Sequence, residues 1–479
     1  MFFVYSICRI EKQDRFGKEG EKMGSHVIDS LLFQDQFSTK RMREIFSDEN
    51  MVQKWLDVEA ALAEVQAEMG IIPEKAAKEI SRKARTDLMD FVEMKRQVDI
   101  TGHPIVPLLR CLKNVCDDNA AEYSHWGATT QDIMDTGMIL QVREAYGEIL
   151  QKSKALHVKL CDMAIKYRDL VMVGRTHGQH ALPITLGYKV AVWAAELLRD
   201  IERLEQCSQR LFMGQFSGAV GTIASLGSEG LEVQRRLMDR LKLAMPPISW
   251  HSSRDTIAEF ICVLGILTST LGKMANEVAT LQKTECGELE EPFAMGKVGS
   301  STMPHKRNPM YSEGVVSLSK NIRSTVPLAI ECMVGEHERD MRPWQAEWEF
   351  IGRVCCMTDA ALKESLHIFT DLIVRPEHIE ENLHKLQGLM LSEAVMMKIG
   401  KRIGRQEAHE IVYEAAMEAF EKSLPFKEVL LKDERVLRNF EVAEIDSILD
   451  PHKYTGLAGE FVDRVTGERE IPRVTPLEK

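Results

Sequence analysis

The stretch GSSTMPHKRNP, residues 299–309, concentrates side chains that could do chemistry on a constrained backbone. Pro304 and Pro309 each lack an amide hydrogen and disfavour helical geometry in the preceding residue, which predicts a loop. The loop also carries hydroxyl and cationic groups, which belong to Ser300, Ser301, Lys306 and Arg307. Most polar loops are only connectors, but hydroxyl and cationic groups gathered in this way favour binding of a small anion.

Three other segments carry polar residues of the same kind. They are TGHPIVPL with HWGATTQDIMDTG (His103, His125, Thr129, Thr130, Gln131 and Asp132), GRTHGQHALP (Arg175, Thr176, His177, Gln179 and His180) and GEHERDMRPW (His337, Glu338, Arg339 and Arg342). Taken singly, each has a simpler interpretation, because threonines cap helices and arginines form solvated faces. Taken together, their donors suit carboxylate or phosphate, and a histidine can carry a proton near neutral pH. Residue types alone therefore indicate an anion-binding helical protein that could be an enzyme.

Composition limits the class of protein. The chain has 479 residues, 44% of them hydrophobic and 28% charged, which is typical of a globular protein with several domains or an extended helical body. A net charge of −12 argues against general nucleic-acid binding. The ten cysteines show no metal-binding spacing, so we expect reduced thiols in a cytoplasmic protein and no bound metal. The sequence predicts no membrane span.

Apolar residues recur with helical periodicity, and strand signals are scarce. One heptad seam comprises Ile257, Phe260, Leu264, Leu267, Leu271, Met274, Val278 and Leu281. A second runs from Leu186 to Leu204, and further helices are predicted over 137–167 and 313–333. Helices of this kind pack as a bundle, so we predict an all-α fold whose remaining apolar faces favour oligomerisation. GQFSGAVGTIASLG, residues 214–227, lacks the ending of a P-loop and is interpreted as a flexible loop.

The pattern divides the chain into four parts. Residues 1–23 are expected to be a disordered extension, with Met23 as an alternative start. An N-terminal helical domain over 24–136, a central helical bundle over 137–382 and a C-terminal helical domain over 383–479 are predicted to follow.

Three motifs, in order along the chain, resemble those of the fumarase/aspartase superfamily: HWGATTQDIMDTG, GRTHGQHALPITLG and GSSTMPHKRNP. The nearest branch is that of adenylosuccinate lyase and 3-carboxy-cis,cis-muconate cycloisomerase. The resemblance implies a three-domain all-α subunit whose central helices form a twenty-helix core in a homotetramer. It also implies active sites built from three subunits, and neither a metal nor an organic cofactor.

The chemistry that the resemblance implies is β-elimination, in which a proton leaves the carbon beside a carboxylate and fumarate is released. Ser300 matches the general base, His177 the acid that protonates the leaving nitrogen, and Glu313 the partner of that acid. Lys306 matches a residue that holds the developing negative charge and completes the predicted catalytic set. The predicted substrate-binding set is His103, His125, Thr129, Thr130, Thr176, Gln179, Arg254, Ser301, Asn308 and Arg339.

Three functions remain open, and the first two use a small anionic di- or tricarboxylate. GRTHG favours a C–N lyase acting on adenylosuccinate or another N-succinyl compound. HERDMRPWQAEW lacks a serine and an arginine that would hold a nucleotide phosphate, and with WHSSRDTIAEF it looks more like the cycloisomerases. A non-catalytic helical scaffold is the third reading, which the intact motif residues disfavour. The identity of the leaving group is left open.

Overall fold

The computed structural model describes residues 25–293, 300 and 302–467. The predicted extension over 1–23 lies outside these residues. The described part contains nineteen α-helices and four short strands. The helices are α1 (Gln34–Phe37), α2 (Lys40–Ile45), α3 (Asp48–Glu68), α4 (Glu74–Lys83), α5 (Phe91–Thr101), α6 (Ile105–Val115), α7 (Thr130–Lys166), α8 (Leu186–Leu211), α9 (Gly230–Leu241), α10 (Asp255–Leu281), α11 (Met310–Glu331), α12 (Met341–Thr370), α13 (Pro376–His384), α14 (Ser392–Ile403), α15 (Arg405–Lys422), α16 (Phe426–Leu430), α17 (Glu434–Asn439), α18 (Val442–Ile448) and α19 (Ala458–Gly467).

Five long helices, α7, α8, α10, α11 and α12, pack against one another and form the central bundle. Every residue of the two predicted apolar seams in α8 and α10 is buried in the main core. Removal of these stripes from water is the main force that holds the bundle together. The predicted all-α class is confirmed, whereas the homotetramer stays a prediction.

Helix α10 is the one described helix whose length and hydropathy would suit a membrane span. Its most apolar window is 72% buried inside the protein, against α8, α11 and α12. A helix surrounded by other helices is hydrophobic all round because it is a core element.

Two of the predicted helices begin earlier than the sequence indicated. Helix α7 begins at Thr130 rather than near residue 137, because Asp132 folds back to accept a hydrogen bond from the backbone amide of Thr129. Helix α11 begins at Met310 rather than at 313 and contains Pro327.

A β-hairpin interrupts the bundle where the sequence predicted no strand. β1 (Val171–Thr176) pairs with antiparallel β2 (Gln179–Thr185) through a two-residue turn. The turn residues, His177 and Gly178, have φ values of 53° and 75°. Positive φ at both positions is the backbone geometry that matches the twist of a two-residue hairpin. A second small sheet pairs β3 (Leu289–Glu290) with β4 (Ile373–Val374).

The C-terminal helices α14 to α18 enclose a hydrophobic core that is separate from the main one. The helices that cross the predicted domain boundaries are continuous: α7 runs through residue 136 and α13 through residue 382. The division into domains itself stays a prediction.

Candidate active site

The N-terminus of α7 is organised around the buried carboxylate of Asp132. This carboxylate accepts hydrogen bonds from the backbone amides of Thr129, Ser217 and Gly218 at 2.9–3.0 Å. It also receives Nε2 of His251 at 2.8 Å. Because four donors converge on one side chain, the first turn of α7 and the 214–218 segment are held in a fixed relation. The segment interpreted from sequence as flexible is therefore pinned and buried over these five residues.

Arg339 connects the segment before α12 to the same place. Its guanidinium donates to Oγ1 of Thr129 at 2.9 Å and to the carbonyl oxygen of Ala219 at 2.6 Å. The structure thus brings together three segments that are far apart in sequence. Thr130 lies at the first position of α7, half-buried, beside these groups. A helix N-terminus with a nearby guanidinium favours an anion.

His125 lies just before α7 and is held by a buried carboxylate. Its ring Nδ1 is 2.6 Å from Oε1 of Glu59, and its backbone amide donates to Oε2 at 2.9 Å. Burial opposes charging of the imidazole, but the negative charges of Glu59 and Asp132 raise the pKa of His125 overall. A cationic His125 adds to the positive potential at this end of α7.

The structure gives Arg254 a different environment from the one predicted. Its guanidinium is 2% exposed and donates to both Asp135 and Glu347. A cation matched by two carboxylates is poorly placed to bind a further substrate carboxylate. Burial raises the pKa of Glu347, and the negative charge of Asp135 adds to this shift. The hydrogen bond and positive charge of Arg254 oppose it only in part.

The second motif forms the tip of the hairpin. Thr176, His177 and Gln179 are all exposed there, at the end of a rigid element. Arg175, next to the turn, pairs with the buried carboxylate of Glu288 at 2.5 and 3.0 Å and so holds the hairpin near its tip. The side chains of Thr176, His177 and Gln179 are therefore accessible at the tip of the hairpin.

The third motif lies between β3 and α11. Oγ of Ser300 accepts hydrogen bonds from the backbone amides of Thr302 and Met303 at 3.3 and 3.1 Å. Lys306 is exposed and Asn308 half-buried in the same loop, and Glu313 is exposed in the first turn of α11. Ser301 lies outside the described residues.

Two buried or half-buried carboxylates fix the ends of this loop. Glu291 accepts the backbone amides of Tyr311 and Ser312, in the first turn of α11, at 3.2 and 3.0 Å. Glu290 pairs with Arg307 at 2.7 Å. These contacts join residues 290–291 to residues 307–312, so the two ends of the loop lie next to each other.

A single chain assembles only part of the predicted site. Thr129, Thr130, His125 and Arg339 lie at one end of α7, and exposed His103 lies in the loop between α5 and α6. Within the described residues, no hydrogen bond or ion pair links His177 with Glu313. The hairpin tip and the Ser300 loop belong to other elements, and a site shared between subunits stays a prediction.

Residues 35–324 match the family described as lyase, and residues 388–465 match the family described as adenylosuccinate lyase C-terminus. The chain belongs to the fumarase/aspartase superfamily of lyases. It is 43% identical to N-acetyl-S-(2-succino)cysteine lyase of Enterococcus italicus, over 92% of this chain and 97% of that protein. It is 41% identical to adenylosuccinate lyase of Methanocaldococcus jannaschii, over 94% and 96% of the two chains.

Solved structures confirm the superfamily fold. The crystal structure of 3-carboxy-cis,cis-muconate lactonizing enzyme from Pseudomonas putida superposes with a TM-score of 0.88 at 36% identity. The match covers 92% of this chain and 99% of that one.

Sequence reasoning missed several residues that build the site of this lyase. Glu59, Glu291 and His251 received no role, and Asp132 was noted only as part of a polar segment. Each acts through partners that lie far away in sequence; Glu59 and His125, for example, are 66 residues apart. A signal did exist for Glu59, since a charged residue within the apolar stretch of α3 needs a buried partner.

Proposed function

We propose that this lyase releases fumarate by β-elimination from a 2-succinyl thioether, breaking the bond between carbon and sulfur. The supporting observation is the set of partners that the two arginines of the HERDMR segment bind. Arg339 is bonded to Thr129 and to backbone carbonyls, and Arg342 is paired with Asp340 and Glu336. Arg342 is matched by two carboxylates, which favours a leaving group without a nucleotide phosphate, whereas Arg339 contacts only neutral oxygens among the described residues and its charge can serve a substrate carboxylate. The 43% identity to N-acetyl-S-(2-succino)cysteine lyase supports the same conclusion.

In the proposed reaction Ser300 accepts the proton from the methylene carbon of the succinyl group. The electron pair of that C–H bond forms the double bond of fumarate, and the pair of the C–S bond leaves with sulfur as a thiolate. Negative charge that develops on the adjacent carboxylate is stabilised by Lys306 and by the positive N-terminus of α7. His177 supplies a proton to the leaving atom. Protons and electrons therefore balance, with fumarate and a thiol as products.

Ser300 is a weak base as a neutral hydroxyl, and its hydrogen bonds address this difficulty. The amides of Thr302 and Met303 both donate to Oγ. Donors that point at an oxygen stabilise its anionic form and so favour removal of its proton. The loop thus supplies part of the stabilisation that a serine base requires.

The proposed site is completed in a homotetramer, in which the hairpin tip and the Ser300 loop come from different subunits. The exposed side chains of His177 and Glu313, which share no hydrogen bond or ion pair within the described part of one chain, support this assembly.

A second candidate is a cycloisomerase acting on a carboxymuconate. It is favoured by the close superposition on the lactonizing enzyme from Pseudomonas putida. That reaction also transfers a proton at the carbon beside a carboxylate. The group that leaves the neighbouring carbon is a carboxylate of the same molecule, whereas in the thioether reaction it is a thiol.

One substrate panel tests the proposal. Purified protein is incubated with N-acetyl-S-(2-succino)cysteine, with adenylosuccinate and with 3-carboxymuconate, while fumarate is quantified by chromatography. We expect fumarate from the thioether and at least tenfold less turnover of adenylosuccinate. Conversion of the muconate without fumarate would support the second candidate, and rapid cleavage of adenylosuccinate would refute the choice of a thioether.

A further inference from the structure

A cavity of about 440 Å³ lies beside the N-terminal half of α7, and none of the roles described so far uses it. Its walls come from α3, α7 and α12 and from the loop between α5 and α6. The volume is in the range of small-molecule sites. Gly102 and Pro104 line it, and they flank His103, a predicted substrate-binding residue. The cavity therefore lies beside a residue of the predicted substrate-binding set.

The walls of this cavity are aromatic. Trp55, Trp344 and Trp348 contribute, together with Met134 and Met138 of α7. Trp344 and Trp348 pack edge to face with ring centroids 4.9 Å apart, and Nε1 of Trp344 donates to Asp135 at 2.9 Å. Trp348 remains 45% exposed, although it is a large apolar side chain. An exposed tryptophan that faces a cavity offers a surface on which a flat apolar group can stack.

Trp55 is held in place by a close approach to α7. A Cβ atom built on Gly137 would lie 2.7 Å from Cδ1 of Trp55, so a glycine is needed for the indole to lie on the helix. The position of Trp55 in the cavity wall is thus fixed by its packing against α7.

Charge in the cavity disfavours an anionic occupant. Among the described residues that line it, Arg254 is the one cation, and Asp135 and Glu347 both accept its hydrogen bonds. Two carboxylates facing one guanidinium leave no positive charge for a phosphate or a further carboxylate. The chemistry suits a neutral apolar or aromatic group.

We propose that this cavity, which we call the tryptophan cavity (Trp55, Met134, Met138, Trp344 and Trp348), binds the leaving group and prefers succinyl adducts whose thiol part is aromatic or apolar to adducts whose thiol part is charged, such as that of N-acetylcysteine. This inference rests on the proposed function and deepens it by naming the substrate class. Trp348 is the residue that determines specificity, and Asp135 is a positioning residue for Trp344.

Binding of non-cleavable analogues tests the cavity without requiring turnover. 2-Benzylsuccinate and 2-methylsuccinate carry the same two carboxylates and differ in the apolar group alone. Isothermal titration calorimetry is expected to show that the benzyl compound binds about tenfold more tightly to the unaltered protein, because its ring is removed from water. Trp348→Ala should reduce that ratio to about threefold or less, and Trp348→Phe should retain most of it.

Tyr413→Ala is the matched control, since Tyr413 is a 59% exposed aromatic residue on α15, outside the cavity. It should leave the benzyl preference unchanged. Equal affinities for the two analogues, no detectable binding of the benzyl compound, or an undiminished preference in Trp348→Ala would each overturn the inference. Failure of the thioether to yield fumarate while the benzyl preference persists would reject the C–S chemistry and leave the cavity's selectivity standing.

Discussion

Asp132 and His251 form a buried pair in which Oδ1 of the carboxylate lies 2.8 Å from Nε2 of the imidazole. The same carboxylate accepts the backbone amide of Gly218, 86 residues further along the chain. One side chain therefore joins the start of α7 to two loops. One of these loops lies beside the N-terminus of α7, where we propose that the succinyl group binds. The geometry of this site therefore depends on Asp132, a residue to which we assign no substrate contact.

Asp132→Asn should destabilise the fold while leaving the shape of the side chain almost unchanged. An amide has one acceptor oxygen in place of two, so at least one buried donor loses its partner, at a cost of about 3 kcal/mol. Urea unfolding followed by circular dichroism measures this loss. Asp162→Asn, at an exposed position of the same helix, should change stability by less than about 0.5 kcal/mol. Equal stability of the two variants would contradict the central role of Asp132.

Glu59→Gln should lower stability in a manner that depends on pH. Glu59 raises the pKa of His125 above its ordinary value of 6.5, so the pair stabilises the folded state most below that pH. The contribution is lost as the pH rises through the raised folded pKa. We expect a deficit of about 3 kcal/mol at pH values near 6, in line with the loss of one partner of a buried pair.

Unfolding free energies of the Glu59→Gln variant and the unaltered protein are compared at acidic and alkaline pH. The deficit should shrink on the alkaline side, although Glu59 also accepts the amide of His125 and some loss persists there. A deficit that grows with pH would show that the ion pair is not its origin.

The helices of this protein could be predicted because their signal lies in the spacing of residues that are close in sequence. Each apolar residue of the α10 seam, from Ile257 to Leu281, signals burial through its spacing to the next one. The hairpin was missed for the converse reason. β1 is a short strand whose first four residues, 171–174, are all buried, so its sequence shows no alternation, and a short apolar run does not distinguish strand from helix. The dipeptide His177-Gly178 was the available signal for its turn.

The site was predictable as a set of motifs and not as a geometry. Ser300, His177 and Lys306 were named from their resemblance to family motifs. The partners that hold the motifs, such as Glu288 for Arg175 and Glu291 for Ser312, are 113 and 21 residues away. Arg254 shows most clearly what the sequence could not predict. Its residue type suits a substrate carboxylate, but the fold brings Asp135 and Glu347 to it, and they already accept its hydrogen bonds.

Arg254→Met should destabilise the protein strongly at neutral pH. The substitution preserves bulk but leaves Asp135 and Glu347 buried without a cation, at a cost of about 4 kcal/mol. Burial already raises the pKa of Glu347, and protonation relieves the uncompensated charge, so the deficit should diminish as the pH falls toward 5. Thermal unfolding across this pH range provides the measurement. A deficit that is the same at every pH would mean that lost packing, rather than buried charge, dominates.

Ser300→Ala should fold normally and lose about a thousandfold in turnover, because a half-buried loop hydroxyl outside the hydrophobic core contributes to catalysis rather than to packing. Fumarate release from the thioether gives the rate, and calorimetric binding of 2-benzylsuccinate shows whether the site is intact. Ser317→Ala serves as a matched control, since Ser317 is an exposed serine on α11 with no role in the proposed reaction. A rate near that of the unaltered protein in Ser300→Ala would exclude this serine as the base.

Mixing two impaired variants tests whether the site is shared between subunits. Ser300→Ala and His177→Asn chains are combined under conditions that exchange subunits and are then assayed together on an N-succinyl amine, the substrate on which we expect each variant alone to lose about a thousandfold. If the two residues come from different chains, some sites receive both native side chains and activity returns to a measurable fraction. If each chain supplies both, the mixture should remain as inactive as its components, and the proposed assembly would be wrong.

His177→Asn should distinguish cleavage at sulfur from cleavage at nitrogen. Asparagine tolerates the left-handed backbone that His177 adopts at φ 53°, so the hairpin should be preserved. Thiols ionise near pH 8.5, so a thiolate can leave without prior protonation, whereas an amine leaving group requires a proton. We expect a loss in kcat of about tenfold on a 2-succinyl thioether and about a thousandfold on the matching N-succinyl amine. Parallel fumarate assays on the two substrates measure the ratio, and an equal loss on both would assign His177 to binding rather than to proton transfer.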